Sequence, residues 1–154
     1  MLDPSLDISI RVAAPQEVVW AALVRPRFRV EWWPELELRA RVGSRVAQPA
    51  ADGRATPRAD LAGRVLDVDA PSRLHFKWGR RDAPRTNVEW LLEPKKHGRT
   101  RVRVVETGFE RKPYAAIDIS LYRDAWRSRL GDLDDYLASP GVVARIERRL
   151  ARRS

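Results

Sequence analysis

Glu106 and Tyr122 are the residues whose types and places invite chemistry. Along the strand-like segment Thr100 to Thr107, the alternation puts Val102, Val104 and Glu106 on one face, so a carboxylate stands on an otherwise apolar side. Such an acid either sits at the wet rim of a cavity or lies inside it with a raised affinity for its proton, and the second arrangement makes it a general acid or base. Tyr122 precedes Trp126 by one helical turn, where its hydroxyl fixes a ligand or satisfies itself at the rim. Neither has the partner that would complete a mechanism. The chain has two histidines: His75 alternates to the side opposite Leu74 and Phe76, and His97 falls in the turn Lys95-Lys96-His97-Gly98. The acids Asp67 and Asp69, and Asp132, Asp134 and Asp135, lack the glycine turn or histidine that a metal site needs and read as solvated faces. There is no zinc-binding helix, nucleophile elbow, phosphate-binding glycine loop or dinucleotide fingerprint. No metal and no cofactor are therefore expected, and Glu106 and Tyr122 are catalytic candidates only if the protein is an enzyme.

The aromatic residues point to binding. Of the six tryptophans, Trp20 and Trp126 are assigned to the shared core. Trp33, Trp78 and Trp90 are assigned to the wall or mouth of a pocket, where a flat rigid ring contacts an apolar or aromatic ligand. With Phe76, Val104, Glu106, Phe109, Tyr122 and Trp126 they form the candidate ligand-binding set.

These residues need elements to hold them. Leu6, Ile8, Ile10 and Val12 alternate as in a half-buried strand. A first helix follows with Pro15 at its first position, Val19, Trp20 and Leu23 on its buried face and Pro26 at its end. A second short helical turn covers Arg27 to Trp33. Strands are then expected over Leu36–Val42, Leu61–Val68, Arg73–Trp78, Thr86–Leu92 and Thr100–Thr107, as an antiparallel meander. Gln48 to Arg58 reads as a loop with a turn at Asp52-Gly53. Leu74, Phe76 and Trp78 share a side, as do Val88, Trp90 and Leu92. After a connection over Glu110 to Ala116, Ile119, Tyr122, Trp126, Leu130, Leu133 and Leu137 form one stripe of a long helix. Asp118 or Ser120 is expected to cap that helix and Ser139-Pro140-Gly141 to break it. The sheet must bury its heavy face, and this helix carries the stripe long enough to cover it. The expected class is α+β: a curved antiparallel sheet wrapped around a long C-terminal helix, with two short helices near the N-terminus.

The chain of 154 residues suits one domain, here residues 1–138, followed by a basic tail over residues 139–154 that forms a short helix with Val143, Ile146 and Leu150 as its apolar edge. Without cysteine there is no disulfide or thiolate metal site, and the cytoplasm is the expected compartment. No apolar run reaches the ~18 residues of a membrane span, and the first residues do not form a signal peptide. The net charge is +9, and +4 of it lies beyond Pro140, so a weak, salt-sensitive contact with a polyanion is expected of the tail.

Several segments in order resemble a known family. They are Ala14 to Leu23, Glu31-Trp32-Trp33-Pro34, Gly63 to Trp78, Leu92-Glu93-Pro94, Gly98 to Val102, Glu106-Thr107-Gly108-Phe109, and Trp126, Leu130, Leu133, Tyr136 and Leu137. Together they resemble the START/birch-pollen-allergen-like superfamily, also called SRPBCC, and within it the branch similar to the C-terminal domain of the heat-shock-protein ATPase activator. Arg45 to Arg58 departs from the family's usual hairpin. The resemblance implies a helix-grip fold, an internal cavity and hydrophobic-ligand binding, in a superfamily that spans carriers, cyclases, hydrolases and chaperone cofactors. The reading it supports is a binding domain for a lipid-like, aromatic or polyketide-like molecule, gated by Glu110 to Ala116. The alternatives are a cyclase- or hydrolase-type enzyme, or a chaperone cofactor with a protein partner.

Overall fold

The computed structural model describes residues 5–49, 61–80, 84–109 and 115–152. The elements run β1 (Ser5–Val12), α1 (Gln16–Val24), α2 (Pro26–Arg29), β2 (Arg45–Gln48), β3 (Leu61–Asp69), β4 (Arg73–Gly79), β5 (Thr86–Lys95), β6 (Arg99–Thr107), α3 (Ala115–Ala138) and α4 (Val142–Ala151). The six strands form one antiparallel sheet in the order β1-β6-β5-β4-β3-β2. The α+β helix-grip expectation holds: α3 lays Trp126, Leu130, Leu133 and Leu137 on the core formed by the inner face of the sheet.

Register explains how three strands make one apolar wall. Leu74 lies opposite Trp90, Phe76 opposite Val88, and Trp90 in turn opposite Val104. Because side chains alternate, these pairings bring every heavy residue of β4, β5 and β6 to the same side. Gly63 of β3 faces Trp78, and a Cβ there would meet the Lys77 carbonyl oxygen at 1.6 Å, so only glycine permits this close approach. A register shift between Val65 and Asp67 bends β3 further along.

The helices near the N-terminus are pinned by polar contacts to carbonyls. Pro15 caps α1 instead of opening it, and Gln16 donates to the Leu92 carbonyl at 3.1 Å. Arg29 is 3% exposed, yet its guanidinium donates to the Leu23 oxygen at 3.0 Å and the Leu38 oxygen at 2.6 Å. Burial lowers its pKa to about 10. Those carbonyls end α1 and hold the following segment, where the sequence pattern misleads: Leu36 and Leu38 are buried, but the segment makes only an isolated bridge, Glu37 to Ala47, and no strand. The strand forms later, over Arg45–Gln48, inside the stretch expected to depart from a tidy hairpin. The Asp52-Gly53 turn and residues 110–114 of the expected gate lie outside the described residues.

Two further expectations need correction. α3 begins at Ala115, ahead of Asp118 and Ser120, the expected caps. Trp20 is half-buried at the edge of the core that it was expected to fill. At the other end, α4 follows the break at Ser139-Pro140-Gly141 and docks by its apolar edge, with Val142 in the core and Ile146 fully buried. Arg145 on its other side grips Glu31 with both terminal guanidinium nitrogens, at 2.8 and 2.6 Å, and Tyr136 donates to the same carboxylate at 2.8 Å. Among the described residues, no helix is long and apolar enough to cross a membrane.

Candidate functional site

Glu106 lies at the middle of the inner wall, and it is not at a wet rim: it is 0% exposed. Its strand partners are Leu6 on one side and Val88 on the other, so the backbone alone would leave the carboxylate in hydrocarbon. Three donors meet it there. Trp126 of α3 donates to Oε1 at 2.7 Å, while Trp78 of β4 and Thr86 of β5 donate to Oε2 at 3.3 and 2.5 Å. An indole N–H can only donate, so both carboxylate oxygens serve as acceptors that tie the helix to two strands. A buried acceptor group held this way is costly to disturb and defines one packing of its neighbours.

The rings around it interlock. Trp78 stacks on Trp126 with centroids 5.7 Å apart, Phe76 meets Trp90 edge-on at 5.2 Å, and Trp33 meets Trp126 edge-on at 5.9 Å. Phe109 meets Tyr122 at 5.5 Å, and both are buried. The structure thus brings together all nine residues of the candidate ligand-binding set in one buried cluster. Where Trp33, Trp90, Val104 and Trp126 converge, the rings leave a void of only ≈ 10 Å³. That is room for about one water.

The indoles around this void are paired unequally. Trp33 donates to Gln48 Oε1 at 2.8 Å and Trp32 to the Ala22 carbonyl at 2.9 Å. Trp90 is 1% exposed, and its N–H has no acceptor among the described residues. Arg129 closes the outer side, with its guanidinium 4.5 Å from the Trp33 ring and Asp132 and Glu35 within ion-pair reach. Desolvation lowers the Arg129 pKa, against the opposing pull of Glu35 and Asp132.

Residues 13–138 match the family model described as activator of Hsp90 ATPase homolog 1-like protein. The chain belongs to this family. Among solved structures it is similar to protein MLL2253 from Mesorhizobium loti, with a TM-score of 0.75 and 23% identity over 88% of this chain and 98% of that one. It is similar to DynU16 of the dynemicin biosynthetic locus, with a TM-score of 0.75 and 23% identity over 90% of this chain, but it spans only 48% of DynU16. The Aha1 dimer from Colwellia psychrerythraea has a TM-score of 0.71 and 17% identity, covering 90% and 98% of the two chains. No curated protein matches the sequence. At these identities the structural likenesses establish the helix-grip fold that the family shares.

Several residues of the site escaped the sequence reading. Thr86 continues the alternation of Val88, Trp90 and Leu92 inward, but a threonine at a strand end carries no hydrophobic mark. Gln48 and Arg129 are polar residues whose roles depend on a ring brought from elsewhere in the chain, and Trp32 gave no sign beyond its place beside Trp33. Of the acids weighed as metal ligands, Asp67 pairs with Arg73, and Asp132 with Arg129. His75 meets Asn87 Oδ1 at 3.0 Å on the outer side, and His97 adopts φ 63° in its turn.

Proposed function

We propose that the domain binds a small apolar or aromatic molecule carrying a hydrogen-bond acceptor, beside Trp90 in the void covered by Arg129. The observation that carries this reading is the buried Trp90 N–H, which has no acceptor among the described residues. A buried donor left unpaired costs about 1–3 kcal/mol, a cost that an incoming carbonyl or ether oxygen removes. The present void is too small for such a guest, so entry requires Trp33 and Arg129 to swing aside. Their contact is a cation on a ring near the surface, worth about 0.5–2 kcal/mol, which a ligand's own burial can outweigh. The enzyme reading is less well supported, because the carboxylate it would use already accepts from two indoles and a hydroxyl.

A panel of aromatic ketones, phenols and fatty acids tests the proposal by tryptophan fluorescence and thermal shift. A ligand that binds the native state alone raises the melting temperature. Trp90→Phe should weaken acceptor-bearing ligands by about tenfold, or ~1.4 kcal/mol, while sparing purely hydrocarbon ones. Glu106→Gln should leave affinity for a neutral ligand within about tenfold. If no compound shifts the melting temperature, the reading fails, and weight moves to a protein-interaction role. Membership of a family described by activation of the Hsp90 ATPase favours that second reading.

A further inference from the structure

We propose that the groove between α2 and α4 is a docking site for an acidic segment of a partner protein. The spacing along α4 divides the helix. Val142 and Ile146 go into the core, while Arg145, Arg148, Arg149 and Arg152 recur at helical spacing along a groove of ≈ 230 Å³ whose opposite wall is Arg27 of α2. Arg145 is committed to Glu31. Arg27, Arg148, Arg149 and Arg152 have no carboxylate within ion-pair distance among the described residues. The negative end of a helix accounts for cations in the last turn of α4, but not for the convergence of Arg27 from a different helix.

Shape and chemistry choose the occupant. Residues 145 and 152 are about 10 Å apart along the helix axis, and carboxylates on alternate residues of an extended chain recur about every 7 Å, so two acidic side chains span the groove. Guanidinium forks suit carboxylates because the two match bidentately. Phe28, in the same groove, is only 2% exposed and offers no platform on which a nucleic-acid base could stack.

The test is fluorescence anisotropy of a labelled decapeptide that alternates glutamate and serine, at low salt. The full chain should bind it, and added salt should weaken binding by about tenfold or more. Arg148→Glu with Arg152→Glu should abolish binding, and Arg148→Gln with Arg152→Gln should weaken it by about tenfold. Arg11→Glu with Arg99→Glu changes net charge equally, but at the start of β6 and the end of β1, and should leave affinity within about threefold. Circular dichroism and melting curves confirm that each variant is folded. Absence of binding, equal losses in the two glutamate pairs, or tighter binding of a single-stranded decanucleotide or of pyrophosphate than of the peptide would each overturn the proposal. Because no change touches Trp90, its failure leaves the ligand-binding reading intact.

Discussion

Two neighbouring corners of one aromatic cluster satisfy their polar groups differently. Around Glu106, donors from β4, β5 and α3 converge on one carboxylate that sits in hydrocarbon. Around Trp90, one strand over and two residues along on the same wall, a buried donor has no acceptor among the described residues, and Arg129, over the Trp33 ring, borders the same void. The first corner is built to hold one arrangement of helix and sheet. The second retains unspent bonding capacity, which suits a place where something else binds. The contrast implies that substitutions at the first corner chiefly change stability, and those at the second chiefly change occupancy.

The largest effect belongs to Trp126, which touches both corners. Trp126→Ala should cost ~3–5 kcal/mol in denaturant unfolding, and a loss below about 1 kcal/mol would contradict its burial between helix and sheet. Glu106→Ala comes next: it strands two indole N–H groups and a hydroxyl, and should cost on the order of 2–4 kcal/mol. If Glu106→Ala proves nearly neutral, the carboxylate is not what joins α3 to the strands. Arg129→Ala should cost only about 0.5–2 kcal/mol but speed ligand entry in stopped-flow fluorescence.

Acidity sharpens the comparison through Trp32, which borders the void and stacks on Tyr136 at 6.5 Å. Glu31 braces that tyrosine, and the hydrogen bonds from Arg145 hold its carboxyl below the ordinary glutamate value, with help from Tyr136. A carboxylate with a lowered folded-state pKa stabilises fully above its unfolded value of about 4.3, and that contribution is lost as pH falls through the lowered value. The melting-temperature advantage of the native protein over Glu31→Gln should therefore shrink as the solution is acidified through that range. At the other extreme, the phenol of Tyr136 is pushed up to about 12, by burial first and then by Glu31. Its contribution is intact below its unfolded value near 10 and declines as pH rises toward the folded one. The smallest change is expected from Trp90→Phe, within about 1 kcal/mol of the native stability, because a phenyl ring keeps most of the ring packing and the lost N–H has no acceptor among the described residues. A destabilisation well beyond what the space left by the smaller ring accounts for would show that the donor is satisfied after all.

The inner wall was legible because burial on one face imposes a period of two, and β4, β5 and β6 obey it down to the inward placement of Glu106. The same rule misplaced a strand at Leu36–Val42, where Leu36 and Leu38 do go inside, but Arg29 takes the Leu38 carbonyl and the ladder forms elsewhere. It also passed over Arg45–Gln48, whose arginine and alanine resemble loop composition although Val46 is fully buried. Glu106 was visible as an anomaly. Its donors were not, since Thr86 and the indoles of Trp78 and Trp126 meet it only after three separate segments fold together. The tightness of the void beside Trp90 was equally hidden, because the size of a cavity depends on how rings interlock and not on which residues line it.

The interlocked rings have an optical consequence. Trp32 is 5.7 Å from Trp33, Trp33 is 6.1 Å from Trp90, and Trp126 lies 5.7 Å from Trp78 and 6.3 Å from Trp90. At such separations an absorbed photon migrates among indoles before it is emitted, so these five behave as one antenna. Polarised emission from the folded chain should depolarise faster than its tumbling allows, and a quencher seated against any one ring should darken them all.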